Sequence, residues 1–420
     1  MKTDTPATTT RPDVACRFCG VPLRNTFVDL GPQPLCEAFV APGDVERMEP
    51  FYPLHVRICR ECLLVQLPDY VDREEIFREY AYFSSYSDSW VEHARRYADA
   101  MIARLDLDSE SRVVELASND GYLLQHFVAR QIPSLGIEPA RNVAAVAEAR
   151  GIPTLTEFFG RELAERLRRE RGPADLVIGN NVLAQVPDLN DFVAGITILL
   201  GSGGIATLEF PHVARLIEGV QFDTIYHEHF SYFSLTTVMR IAAAHQLVVV
   251  DVEELPTHGG SLRVYLGRAG DRVAVAPAVE ALLERERADG YAGLDGYAGF
   301  EERVRETKRA LVSFLIEARR AGQSIAGYGA PGKGNTLLNY CGIRTDLLDY
   351  TVDRNPYKHG RFTPGTRIPI HDPARLAETR PDVILILPWN LRDEIARQLE
   401  YTREWGARLI VAIPTTEQIA

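Results

Sequence analysis

Strand-like and helix-like segments alternate twice along this chain, and no other feature constrains its fold as much. The first series runs from an apolar strand at 112–116 through a helix at 122–130, a strand at 134–138, a helix at 142–150, a strand at 176–179 and a helix at 189–200 to a strand at 204–210. The second runs through a strand at 324–328, a helix from Asn335, strands at 348–352 and 382–386, a helix at 391–399 and a strand at 409–413. Alternation at this spacing predicts βαβ units, hence an α/β protein with two parallel sheets. Between the series, 279–286 and 300–320 read as helices, the second with Val304, Leu311, Phe314 and Leu315 at helical spacing.

A chain of 420 residues exceeds one ordinary core. Three parts are expected: a small module over 1–70 with a frayed tail at 1–12, a central α/β domain over 71–268 and a C-terminal Rossmann-like domain over 269–420. The composition, 46% hydrophobic and 25% charged, is that of a globular protein. A net charge of −12 offers no general attraction for nucleic-acid phosphates, so nucleic acid is not an expected partner. No run reaches the ~18 apolar residues of a membrane helix. Met1 to Arg11 is polar, without the apolar core of a signal peptide, so a cytoplasmic protein is expected. Its oligomeric state is left open, a monomer among the options.

Four of six cysteines form two pairs, Cys16-x-x-Cys19 and Cys59-x-x-Cys62. In a reducing compartment such knuckles read as one tetrahedral zinc site with four thiolates, structural because no coordination position stays open. A redox CxxC is the competing reading, but redox motifs come singly. The first module is rich in turns and small for a core of its own, which suits a metal staple. Cys36 and Cys341 stand alone and read as packed thiols.

At Val113-Val114-Glu115-Leu116-Ala117-Ser118-Asn119-Asp120-Gly121 a strand runs into a tight turn and a helix. An acidic strand end followed by a small-residue loop suits S-adenosylmethionine, whose ammonium group needs a carboxylate and close backbone approach. Glu115, Asn119 and Gly121 are the candidates. Glu138, ending the next strand, is spaced to bind the ribose hydroxyls. Phe158 or Phe159 could lie on adenine, or simply fill the core, and Asn180 ends the fourth strand, where ligands sit in open sheets. An NAD domain is the alternative, but the loop lacks GxGxxG.

Tyr226-His227-Glu228-His229-Phe230-Ser231-Tyr232-Phe233 gathers two imidazoles, a carboxylate and two phenols. In an extended segment His227 and His229 would share a face, with Tyr232 opposite. A metal pair or an aromatic interface competes, yet a neutral imidazole is the natural base for a carbon-bound proton beside a carbonyl.

The cysteine pairs, Tyr80-x-Tyr82-Phe83-Ser84-Ser85, the Glu115 to Gly121 loop, Asn180 to Pro187, Tyr226 to Phe233 and Gly327 to Asn335 occur in this order in one family. From Cys16 onward the chain resembles the three-domain sugar C-methyltransferases, which methylate nucleotide-linked 4-keto-deoxysugars. The resemblance implies His229 as the base, with Tyr226, Tyr80 and His227 as active-site partners and Glu228 in support. It also sets Tyr82, Ser84 and Ser85 against the substrate. Where the family can carry a histidine this chain has Gln185, which exchanges no proton.

Gly327-Tyr328-Gly329-Ala330-Pro331-Gly332 satisfies GxGxxG, and Asp353 lies 26 residues on, so NAD stays possible. Lys333 instead suits a pyrophosphate at a helix N-terminus. The resemblance agrees, giving this lobe, with Lys333 and Asn335, to the substrate's nucleotide diphosphate. The expectation is methylation at carbon 3, or carbon 5, of a dTDP-4-keto-deoxyhexose. An NAD-dependent nucleotide-sugar epimerase or dehydrogenase, or a nucleotide-sensing scaffold, are the other classes.

Overall fold

The computed structural model describes residues 14–72, 74, 76, 83–86, 88–271 and 274–419. Among them lie three sheets and no helix long and apolar enough to cross a membrane. Tyr80, Tyr82 and the tail fall outside these residues.

The central sheet has seven strands in the order Leu247–Leu255, Ser261–Arg268, Leu200–Pro211, Ala174–Asn180, Val113–Leu116, Ser134–Ile137 and Thr154–Leu155. All run parallel except Ser261–Arg268, which is antiparallel to both neighbours. In chain order this is 6-7-5-4-1-2-3, so the sheet departs from the 3-2-1-4-5-6 order of dinucleotide-binding domains by one inserted antiparallel strand. The order reverses between Val113–Leu116 and Ala174–Asn180. Their carboxyl ends open the crevice where open sheets bind ligands. Both faces of this sheet are covered, so Val113, Val114, Glu115 and Leu116 are all buried.

The C-terminal sheet is ordered Ile370–His371, Tyr350–Val352, Ile325–Tyr328, Val383–Ile386, Arg408–Val411 and Glu417–Ile419, parallel but for the last strand. The helix Phe300–Arg320 turns Val304, Leu311 and Leu315 inward, as its spacing predicts.

A third sheet joins Asn25–Gln33, Tyr52–Ile58, Val65–Gln66 and Ser231–Tyr232. Its fourth strand comes from the segment of the acid–base cluster, pairing Val65 with Tyr232 and Gln66 with Ser231. The N-terminal module is wedged between the other two domains. Cys16, Leu23, Cys59 and Leu64 pack into the central core. Phe27, Val28, Leu54 and Val56 pack with Phe300, Val304 and Leu337 of the C-terminal domain. Phe27 stacks on Phe300 with centroids 4.6 Å apart, and burying a ring of that kind contributes roughly 1.5–3 kcal/mol.

Some expected elements differ. The helix expected over 122–130 shrinks to Gln125–Val128, because residues 121–124 are spent turning the chain out of the strand. The helix expected from Asn335 begins earlier, at Gly332, with Pro331 just before it.

Candidate active site between the domains

A cavity of about 880 Å³ runs from the crevice of the central sheet to the first helix of the C-terminal sheet. Its walls include Asn119, Glu138, Phe158, Phe159 and Asn180 from the central sheet's crevice, Tyr226, Glu228 and His229 from the turn at 226–229, and Lys333 and Asn390 from the C-terminal domain.

In that crevice the loop 117–121 adopts an unusual backbone. Ala117, Asn119 and Gly121 all have positive φ, at 55°, 50° and 78°. Two non-glycine residues thus hold a conformation that ordinarily selects glycine. At Gly121 a side chain would be strained by the φ of 78°, and its Cβ would lie 2.3 Å from Ile152 Cδ1, which would have to move. The loop is tied to Glu138, whose carboxylate accepts from the backbone N–H groups of Asn119 at 2.9 Å and Ala140 at 2.8 Å. Burial still pushes this carboxyl up to about 7. Asn180 carries a buried, unpartnered Oδ1 in the same crevice, and Phe159 packs edge-on against Phe192. An aimed carboxylate, an orphaned amide oxygen and a close backbone fit an S-adenosyl ligand. Glu115 lies outside the cavity lining: it is buried, its Oε2 is unpartnered, and burial beside Glu138 and Asp120 holds its carboxyl well above the usual range.

Ser84 and Ser85 dock on this same loop. Ser84 N–H donates to Asn119 Oδ1 at 3.0 Å, and Ser85 Oγ donates to Asp120, which Arg150 also faces at 3.4 Å. Ser84 lines the cavity and Ser85 does not. Of the pair expected at the substrate, Ser84 thus reaches the cavity, while Ser85 is turned to Asp120 of the 117–121 loop.

Tyr226 to His229 is a turn, closed by His229 N–H donating to Tyr226 O at 2.9 Å, and the extended geometry expected for it is corrected. A turn points successive side chains in different directions, so the two histidines part. His227 is absent from the cavity wall, its Nε2 meeting Pro53 O at 3.3 Å and its ring edge-on to Tyr52. His229 faces the cavity with its ring 4.1 Å from that of Tyr226. Its Nδ1 donates to Thr224 O at 2.9 Å. A carbonyl can only accept, so Nδ1 carries the proton and Nε2 the lone pair. Burial, with the nearby charges of His258 and Lys333, lowers its pKa to about 4. Glu228, buried beside Glu37, is pushed up to about 8, so near neutral pH it is mostly a carboxylic acid. Gln185 lines the cavity where a proton-exchanging group is absent.

The glycine motif of the C-terminal domain packs against protein. A Cβ at Gly332 would lie 2.9 Å from both Cys36 Sγ and Glu37 Oε1, at Gly327 2.7 Å from Thr351 Oγ1, and at Gly329 2.6 Å from Pro388 Cδ. Glu37 caps the first turn of helix Gly332–Cys341, the place expected for a pyrophosphate. Asp353, the expected ribose carboxylate of an NAD site, accepts from Ala330 N–H at 2.7 Å and Asn355 N–H at 2.8 Å. The glycines of this motif therefore make room for protein atoms, Cys36, Glu37, Thr351 and Pro388. Lys333 does reach the cavity, donating to Asn390 Oδ1 at 2.8 Å over the Trp389 ring. Asn335 does not; it is buried, and its Nδ2 donates to Cys36 O at 2.7 Å. It holds the loop that carries Glu37.

In the N-terminal module the four cysteine sulfurs lie within 4.8 Å of one another, with Cys16–Cys62 and Cys19–Cys59 at 3.5 Å. Sulfurs ~2.3 Å from a tetrahedral zinc would stand ~3.8 Å apart, so the cluster is already spaced for one ion.

The sequence reading passed over His258, a cavity residue in the turn of the strand pair Leu247–Leu255 and Ser261–Arg268. Lys358 and Arg361 were passed over too. No motif marks any of them.

Three family models match the chain in succession: a zinc binding domain at residues 16–77, a methyltransferase domain at 90–252 and a C-methyltransferase C-terminal domain at 256–414. The chain is similar to C-methyltransferase NovU of Streptomyces niveus, 37% identical over 98% of both chains. Solved structures it is similar to include magnesium protoporphyrin IX methyltransferase from Synechocystis, 15% identical over 48% of this chain and 100% of that one, with a TM-score of 0.34. Another is the CcbJ methyltransferase from Streptomyces caelestis, 12% identical over 42% and 90%, with a TM-score of 0.33. Scores at that level carry nothing about function.

Proposed function

The chain belongs to the three-domain C-methyltransferases that depend on S-adenosylmethionine and carry a zinc-binding module of four cysteines, and from that premise we propose that it methylates carbon 3 of a dTDP-linked 4-keto-deoxyhexose in antibiotic sugar synthesis. The observation that carries this reading is His229, whose free Nε2 lone pair belongs to a group lining the same cavity as Glu138. A base and a donor pocket that share one chamber suit carbon alkylation beside a carbonyl.

The keto group acidifies the neighbouring C–H bond. His229 Nε2 takes that proton while the C–H electron pair moves toward the keto oxygen. Tyr226 and the neutral Glu228 acid are hydrogen-bond donors for the developing oxyanion, a role that a carboxyl can fill only when burial keeps it protonated. S-adenosylmethionine supplies the electrophilic methyl group that the carbanion captures. Glu138, Asn180 and the 117–121 loop orient that donor, while Lys333 and Asn390, which line the same chamber from the C-terminal domain, would meet the nucleotide end of the substrate.

The test is His229→Asn, which keeps bulk and removes the proton acceptor. Turnover should fall by roughly 10²–10⁴ while the affinities for S-adenosylhomocysteine and dTDP hold. Exchange of the sugar's acidic hydrogen with deuterated water, measured with S-adenosylhomocysteine in place of the donor, should vanish with it. His227→Asn should be milder, because that ring faces Pro53. Near-normal turnover in the His229 variant would remove it as the base, and product analysis by NMR assigns carbon 3 or carbon 5.

A further inference from the structure

The turn Pro256 to Gly260 is held in a strained shape at the ligand side of the central sheet. His258 has φ 54° and ψ 20°, and Gly259 and Gly260 follow at φ 93° and 122°. A non-glycine residue in that region is sterically disfavoured, and such strain persists where surrounding structure over-determines it. The surroundings do so here. Gly259 O accepts from Gln221 Nε2 at 2.8 Å, and Thr257 Oγ1 donates to Glu209 Oε1 at 3.1 Å. A Cβ at Gly259 would lie 2.5 Å from the Trp389 ring, and one at Gly260 2.8 Å from Arg215. Three parts of the molecule thus clamp one turn, and the result is an imidazole in the cavity wall.

The ring of His258 stands edge-on to Trp90 at 5.0 Å and lines the same chamber as His229 and Lys333. Burial, with the nearby charge of Lys333 and against the opposing pull of Glu209, lowers its pKa to about 4. Neither ring nitrogen has a hydrogen-bond partner among the described residues. A neutral imidazole carries one N–H, and none of the described residues receives it.

We propose that His258 is a catalytic residue of this enzyme, whose N–H donates a hydrogen bond to the substrate's keto oxygen and to the oxyanion that forms from it. The assignment rests on the methyltransferase reading above. No proton leaves His258: the carbon-bound proton goes to His229, the C–H electron pair goes to oxygen, and the imidazole N–H stabilises that charge. A neutral imidazole suits the task, because it polarises a carbonyl without passing its own proton on. Burial keeps it neutral, and the Lys333 charge nearby adds to the effect.

Two variants test it in the full-length enzyme. His258→Gly accepts the left-handed backbone and opens a ring-sized space, while His258→Asn accepts the same backbone and keeps an N–H donor. Loss of an oxyanion donor costs about 10²–10³ in kcat, so the glycine variant should fall by that factor. Its melting temperature and its affinities for S-adenosylhomocysteine and dTDP should match wild type. The asparagine variant should retain more activity, and added imidazole should partly restore the glycine variant, which a merely space-filling ring would not explain. Wild-type turnover in His258→Gly overturns the assignment. So does an equal loss in both variants that imidazole leaves unrestored, or a loss confined to donor binding. A wild type that neither exchanges nor methylates a dTDP-4-keto sugar would overturn the functional reading as a whole; a wild type that does both beside an unimpaired glycine variant overturns only the role of His258.

Discussion

Glu138 is held by two backbone N–H groups, yet burial pushes its carboxyl up to about 7. Hydroxyls of a ribose would bind the anion, so protonation competes with the donor. Affinity for S-adenosylhomocysteine should be flat above about pH 7 and fall below it, by up to tenfold per pH unit, as Glu138 takes its proton. Calorimetric titrations at pH 6 and pH 8 measure the effect. Glu138→Ala should lose about tenfold to a hundredfold in affinity at pH 8 and lose the pH dependence as well. Unchanged binding in that variant would reassign the ribose partner. His229 contributes little to this dependence, since its own pKa of about 4 leaves it neutral across the range.

At the scale of the element, the 117–121 loop makes a steric prediction. Gly121→Ala drives a methyl group to 2.3 Å from Ile152 Cδ1 at φ 78° and should destabilise the protein by about 1–3 kcal/mol, read from thermal or urea unfolding. Ala117→Gly removes a left-handed alanine and adds unfolded-state freedom, so it should change stability by less than about 1 kcal/mol. The two glycine-type positions filled by Ala117 and Asn119 also show where sequence reading stops. Alanine carries no sign of a positive φ, whereas Asn119 and Gly121 are residue types that tolerate one. Helix Phe300–Arg320 was legible to its last residue because a solvent-exposed helix writes its buried stripe at regular spacing. Strand Leu247–Leu255 and its partner Ser261–Arg268 were missed, since an antiparallel pair appended to a βαβ series has no place in the alternation. The roles of Glu37 and Asp353 were hidden for a different reason. A GxGxxG run looks the same whether its glycines make room for a phosphate or for Cys36 and Pro388. The cysteine pairs and the His229 segment were legible because spacing or density alone marks them.

Over the whole molecule, the cysteine cluster and the His229 turn are joined through one sheet. Gln66 donates to Cys16 Sγ at 3.1 Å and pairs in the sheet with Ser231, two residues beyond His229. Metal analysis should find about one zinc per chain. Cys16→Ser should therefore lower kcat as well as the melting temperature, although the ion stands apart from the chemistry. A variant that loses zinc and stability but turns over at the wild-type rate at low temperature would show the two to be uncoupled. The shared sheet also bears on how such enzymes can diversify. A genetic crossover in the chain between Gln66 and Ser231 would transplant three strands of a four-stranded sheet and leave the fourth with the other parent. A crossover there would have to preserve the pairing of Val65 and Gln66 with Tyr232 and Ser231. New sugar specificities are expected to arise by point changes in the chamber wall, while the three parts descend together.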